Sequence, residues 1–175
     1  MNPVLKSGLI SGSLSLAGDL VAQILTNKGL DGNNSTGHSY DATRALRMGS
    51  FGLFFYGPYQ HYWYQALDRA FSARTLQNFA SKVALNQVCL APVVITGVFA
   101  WNLALQGALS DLPGKLRRDF MPTIMTGWKF WVPAATINFV AVPLQHQVLY
   151  MSACGVIWTA FLSYSSSVSE KAQLK

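Results

Sequence analysis

The chain has 175 residues, of which 51% are hydrophobic and only 11% charged, with a formal net charge of +6. A typical soluble domain is about a quarter charged, and a domain this small keeps too much of its mass at the surface to hide so much apolar area from water. The composition excludes an ordinary soluble enzyme. It excludes nucleic-acid binding as well, because Lys6, Lys28, Arg44, Arg47, Arg69, Arg74 and Lys82 flank the apolar stretches, where basic side chains meet lipid headgroups.

Residues 3–26 are expected to form the first helix. At 100° per residue, Gly8, Gly12, Ser15, Asp19 and Gln23 share one side, while Ile10, Leu14, Val21 and Leu25 project from the other. One face suits lipid. The other suits a close helix partner, and the Gly8-x-x-x-Gly12 spacing lets a second backbone approach. Residues 27–40 are rich in Gly, Asn, Ser and Thr and form a flexible loop. Its Asn33-Asn34-Ser35-Thr36 run holds overlapping glycosylation sequons in a chain with nothing else to mark it as secreted, and no cleavable signal opens the sequence.

Asp41 or Thr43 caps the next helix, which carries Arg44 and Arg47 in its first turns and is expected to kink or break at Gly57-Pro58. His61, Tyr62, Trp63 and Tyr64 then suit a headgroup-level aromatic belt. A third helix covers about residues 76–106 and contains Asn86, Gln87 and Pro92. Ser110-Asp111 offers a cap, and Pro113 sits in the first turn after it. Leu112, Leu116, Phe120 and Ile124 recur at steps of four, the pattern of an amphipathic helix on the membrane surface that Pro122 ends or bends. Pro133 and Pro143 bracket a short helical piece, and the final span ends at the serines 165–167.

Residues 48–67, 83–110 and 130–169 contain no Asp, Glu, Lys or Arg, and a crossing helix needs about 20 mostly apolar residues. The expected fold is therefore all-α: a single transmembrane helical bundle over residues 1–175, with about four spans plus one surface amphipathic helix. The loop 27–40 and a polar tail at 165–175 lie outside the bundle. Cys89 and Cys154 both fall in apolar segments and read as small core hydrophobes, not as a disulfide framework.

No nucleotide loop, zinc-protease motif, paired cysteine ligands or serine elbow is present in the sequence. His38, His61 and His146 lack metal-ligand spacing. We expect no catalytic residues, no metal and no cofactor. What remains is polarity inside the spans. Asp19 is the one carboxylate well inside a candidate span, where it faces either the bundle interior or water. Two readings stand: Asp19 and Gln23 line a wet pathway with Arg44 and Arg47 near its mouth, or Asp19 pairs with Arg44 or Arg47 and locks the bundle. Asn86, Gln87 and Asn138 are the further polar-face candidates, and interhelical hydrogen bonding is the favoured role for such amides.

The order of these residues resembles the Mpv-seventeen and peroxisomal-membrane-protein-twenty-two family over nearly the whole chain. The resemblance rests on Gly18-Asp19 with Gln23, on Arg44-x-x-Arg47-x-Gly49, and on Gly57-Pro58-x-x-His61-x-Trp63-Tyr64-x-x-Leu67-Asp68. It continues through Lys82, Asn86-Gln87 and Pro92, then Lys115-Leu116-x-x-Asp119 and Pro122. It ends with Trp128-Lys129-x-Trp131, Pro133, Asn138-Phe139, Val142-Pro143 and Trp158. The chain departs from the family at Asn86, usually Asp, at Ala135, commonly Gln, and at Gln147, frequently Arg. The resemblance implies a helical protein of an organelle membrane, first the mitochondrial inner membrane and alternatively the peroxisomal one. It also implies a channel-like role for small solutes or in membrane homeostasis, with a non-conducting accessory subunit of a larger assembly as the alternative. The implied partners are the lipid bilayer and a homo-oligomer or larger membrane complex.

Overall fold

The computed structural model describes residues 1–30 and 40–173, with side chains described for 1–25 and 40–161. Its helices are α1 (Pro3–Leu30), α2 (Ala42–Phe51), α3 (Gly57–Ala70), α4 (Leu76–Leu85), α5 (Ala91–Leu105), α6 (Leu112–Ala141) and α7 (Leu144–Gln173). A π-helical turn at Gly52–Tyr56 joins α2 to α3, and a second at Asn86–Leu90 joins α4 to α5. Five long rods result, and no strand occurs among the described residues.

The two joined rods are built alike. Each opens on a side-chain cap: Asp41 accepts from the Arg44 N–H, and Thr75 accepts from the Asn78 N–H. Ten helical residues follow, then a five-residue π turn, then a proline in the first turn of the next helix. The π turn accommodates that proline. Pro58 and Pro92 have no N–H to give, and just ahead of them Gly57 and Ala91 reach back five residues, to the carbonyls of Gly52 and Asn86. The expected break at Pro58 is thus a local widening of the helix, which runs on without stopping.

Other expectations change with the tertiary structure. The amphipathic segment after residue 112 is not a separate surface helix: α6 continues through Pro122 and Pro133 to Ala141. Ile124 is buried in the bundle, while Leu112, Leu116 and Phe120 are half-buried. Pro133 breaks nothing, and the chain turns only at Val142-Pro143. Pro113 occupies the first turn as expected, but Asp111 makes no capping side-chain bond. The first helix reaches Leu30, and α7 passes through the serine run to Gln173. His38 and the sequons lie outside the described residues. Cys89 is exposed on its π turn, and only Cys154 is buried.

The distribution of side chains is that of a protein solvated by hydrocarbon. Ser11, Gln60 and Asn138 are fully buried, whereas Phe54 is 68% and Val88 67% exposed. Helix α5 has no buried residue at all, and Pro3–Leu25 and Leu76–Leu105 are both long and apolar enough to cross a membrane. Helices α3, α6 and α7 turn Gln60, Asn138, Gln147 and Ser152 inward, so their polar groups are kept from lipid, where an unsatisfied one costs several kcal/mol. Helix α6, 30 residues long, spans about 45 Å against a hydrocarbon core of about 30 Å, so its charged first turns project beyond the core. There Arg118 Nε and Lys115 Nζ reach the Asp119 carboxylate at 2.9 and 2.7 Å. The Arg118 hydrogen bond first, and that of Lys115 next, hold this carboxyl below the usual range.

Glycine sets the closest helix contact. α1 lies across α2, the first π turn and α3. A Cβ on Gly8 would stand 2.6 Å from the Leu53 carbonyl oxygen, and one on Gly52 would stand 2.5 Å from that of Ser11. A Cβ on Gly57 would collide with the Ser7 carbonyl. The Gly8/Gly12 face is met by a second set of glycines that sequence spacing did not single out. On its other side α1 packs along α7, where Gly18 faces the Val156 backbone. Tyr64, Leu67, Ala135, Phe139, Val148 and Met151 form the buried core between α3, α6 and α7.

Candidate functional site: a divided cavity and a polar latch

Along α1, Ser7, Ser11, Ser15, Asp19 and Gln23 follow at steps of four and so share one face. The upper part of this face forms a latch. Gln23 Nε2 donates to Asp19 Oδ2 at 2.7 Å and to the Asp41 carbonyl at 3.0 Å, and the Asp41 N–H donates to Gln23 Oε1 at 2.8 Å. Arg44 Nε donates to Asp19 Oδ1 at 2.8 Å. The Asp19 side chain is 2% exposed and that of Arg44 45%, so the carboxylate is sealed while the arginine reaches outward. Of the two readings of Asp19, the geometry is that of the pair. The same carboxyl-to-amide network fastens α1 to the start of α2.

The lower part of the face borders two cavities. One, of about 320 Å³, lies between Leu14, Ser15, Tyr56, Gln87, Ile124 and Met151, with walls from α1, α2, α5, α6 and α7. The other, of about 780 Å³, lies between Lys6, Ser7, His61, Tyr64, Gln145 and Val148 at the N-terminal end of α1. Their linings come within a turn or less of each other on three elements. On α1, Ser11 lies between Ser7 and Ser15; in the rod of α2 and α3, Gln60 lies between Tyr56 and Tyr64; on α7, Met151 follows Val148. This partition is closed by a 2.8 Å hydrogen bond between Ser11 Oγ and Ser152 Oγ. Gln60 Nε2 donates to the Tyr64 hydroxyl at 3.1 Å, and Tyr64 and Met151 are each 1% exposed.

The remaining sequence candidates divide. Asn86 and Gln87 stand in the wall of the smaller cavity, whereas Asp19, Gln23, Arg44, Arg47 and Asn138 line neither cavity. Asn86 Oδ1 accepts from Trp63 Nε1 at 3.2 Å, the interhelical role expected of it. Asn138 is buried, with its carbonyl facing Gln147 Nε2 at 3.4 Å. Arg47 Nε is buried with no hydrogen-bond partner among the described residues. The partition residues Ser11, Gln60, Met151 and Ser152 were missed. Their signal was weak, since a serine or glutamine in an apolar helix does not say which neighbour it meets.

The decisive observation is that this glycine-packed bundle occurs on a chain with relatives along almost its full length. The sequence is 30% identical to protein SYM1 of Kluyveromyces lactis over 96% of this chain and 85% of that one. The chain belongs to the Mpv17 / PMP22 family. The family's own sequence profile matches residues 103–163, from the end of α5 into α7. Within the Mpv17 / PMP22 family, similarity extends to the mitochondrial inner membrane protein Mpv17 of Danio rerio, at 30% identity over 91% of this chain and 87% of that protein. It also extends to peroxisomal membrane protein 2 of Bos taurus, at 28% over 92% and 82%. No solved structure matches. Like the family it belongs to, the chain is an integral membrane protein of all-α fold.

Proposed function

We propose that this protein is a channel-like component of an organelle membrane, mitochondrial or peroxisomal as its relatives are named, and that small solutes pass through the divided cavity. One observation carries this reading: the linings of two cavities come within a turn of each other on α1, on the rod of α2 and α3, and on α7. A bundle selected only for packing gains nothing from two adjoining half-open recesses, because each forfeits dispersion contacts between helices. Opening requires the Ser11–Ser152 bond to part and Gln60, Tyr64 and Met151 to move aside. Asp19 and Arg44 act outside this path, holding α1 in place.

The test is current through purified protein in planar bilayers. Met151→Ala shortens the partition without removing a polar partner, so it is expected to conduct more than wild type at equal incorporation. Silence from both folded proteins would sink the channel reading. The second reading, a non-conducting accessory subunit, draws on the Asp19–Arg44 latch and on the exposed apolar face of α5. It would then take precedence.

A further inference from the structure

The smaller cavity has chemistry of its own. Its described lining contains no charged side chain and is dominated by aliphatic and aromatic groups, including Trp128, Trp131 and Trp158. This recess is half open and not sealed, and its volume of about 320 Å³ is roughly twice that of the ~150 Å³ engineered cavity that takes up benzene. Four polar side chains in the wall are already occupied. Asn86 bonds Trp63, Ser152 bonds Ser11, Thr123 Oγ1 donates to the Asp119 carbonyl at 2.6 Å, and Thr159 Oγ1 donates to that of Gly155 at 2.8 Å. Gln87 is different. It is 5% exposed, and neither its Nε2 nor its Oε1 has a hydrogen-bond partner among the described residues. A buried carboxamide left with both ends unmade is costly, and a pocket with apolar walls and a few such polar groups is the usual form of a small-molecule site.

We infer that this cavity binds an uncharged molecule with an apolar body and one amide or hydroxyl group, and that the Gln87 carboxamide, which stands in the wall with both polar atoms covered, turns into the cavity to hydrogen-bond with this polar group. A charged head is disfavoured because nothing charged in the described wall would pair with it. An amide or hydroxyl offers both a donor and an acceptor, and so answers both ends of the carboxamide. The inference requires the cavity but not conduction, so it stands or falls separately from the channel reading.

Gly155 supplies the control, since it lines the cavity and a Cβ added there meets nothing within 4 Å. Gly155→Leu projects an apolar side chain into this space from a position where the Cβ itself meets nothing. The measurement is quenching of tryptophan fluorescence in the full chain in lipid nanodiscs, because bromine quenches an indole on contact. Two brominated ligands are used: 4-bromobenzamide added from water, and a monoacylglycerol with a brominated chain supplied in the bilayer. Saturable quenching that Gly155→Leu abolishes is expected from at least one of them. Quenching by the benzamide alone identifies a solute site, and quenching by the monoacylglycerol alone a lipid site. Gln87→Leu should weaken the effective ligand about tenfold, the worth of one net hydrogen bond, and leave the affinity for bromobenzene unchanged. Quenching by both ligands that rises without saturation, or that persists in a folded Gly155→Leu protein, would overturn the inference. So would Gln87→Leu binding the effective ligand as tightly as wild type, an arm that decides the matter even if Gly155→Leu does not fold.

Discussion

At the scale of single residues, Asp19 and Arg44 are partners with unequal burial, and unequal losses follow. Arg44→Met leaves the Asp19 carboxylate sealed in the bundle with its charge uncompensated, a situation that typically costs 3–5 kcal/mol, taken here as about that size. Asp19→Asn removes the charge but keeps a group that Gln23 can still bond, and Arg44 is free to turn outward, so the loss should be about 1–2 kcal/mol. Melting temperatures in one detergent settle the order; a larger drop for Asp19→Asn than for Arg44→Met would show that the latch is misread. The sequence already offered the pair, because a lone carboxylate in a span demands a partner. It offered Arg47 equally. Choosing between them required the path of α2 across α1, which places Arg44 Nε 2.8 Å from Asp19 Oδ1.

At the scale of elements, helix contacts and prolines carry the argument. Gly52→Ala puts a methyl 2.5 Å from the Ser11 carbonyl, so α1 must move outward; overpacking of this kind costs about 1–3 kcal/mol. Gly155→Ala meets open space and should be neutral or gain up to about 1 kcal/mol in helix propensity. Thermal melts of the two variants check the contrast, and equal melting temperatures would contradict the packing of α1 on the π turn. The prolines separate in the same way. Pro133 is exposed in an uninterrupted helix, so Pro133→Ala restores a backbone bond and should raise stability. Pro58 already follows a π turn that accommodates it, so Pro58→Ala should raise it less; a larger gain at Pro58 would contradict the accommodation. Both prolines read alike in the sequence, as probable breaks, because the missing N–H is local while its compensation lies in the preceding turn. The segment after residue 112 shows the same limit: its four-residue period is present, but period alone does not tell a surface helix from the exposed start of a longer rod.

At the scale of the whole molecule, an apolar exterior should resist every treatment that dissolves electrostatic attachment. The protein is expected to remain in the membrane pellet through alkaline carbonate and high salt, and its quantitative release would refute the integral-membrane assignment. The sequence by itself determined that much. Charge-free stretches of spanning length fix the solvent as lipid, lipid forces every backbone group into internal hydrogen bonds, and a chain without the alternation of a barrel must then be helical. It also determined one face of α1, because glycine, serine and carboxylate at steps of four can only be turned from hydrocarbon. The tertiary structure alone decided what meets that face: a second row of glycines from residues far along the chain, an arginine for the carboxylate, and a serine of α7 for Ser11. It alone placed Gln60 and Met151 between two cavities, and left Gln87 in the wall of one of them. A cavity is a property of several helices at once, set by where their side chains fail to meet, and no local pattern in one helix encodes the gap left by its neighbours.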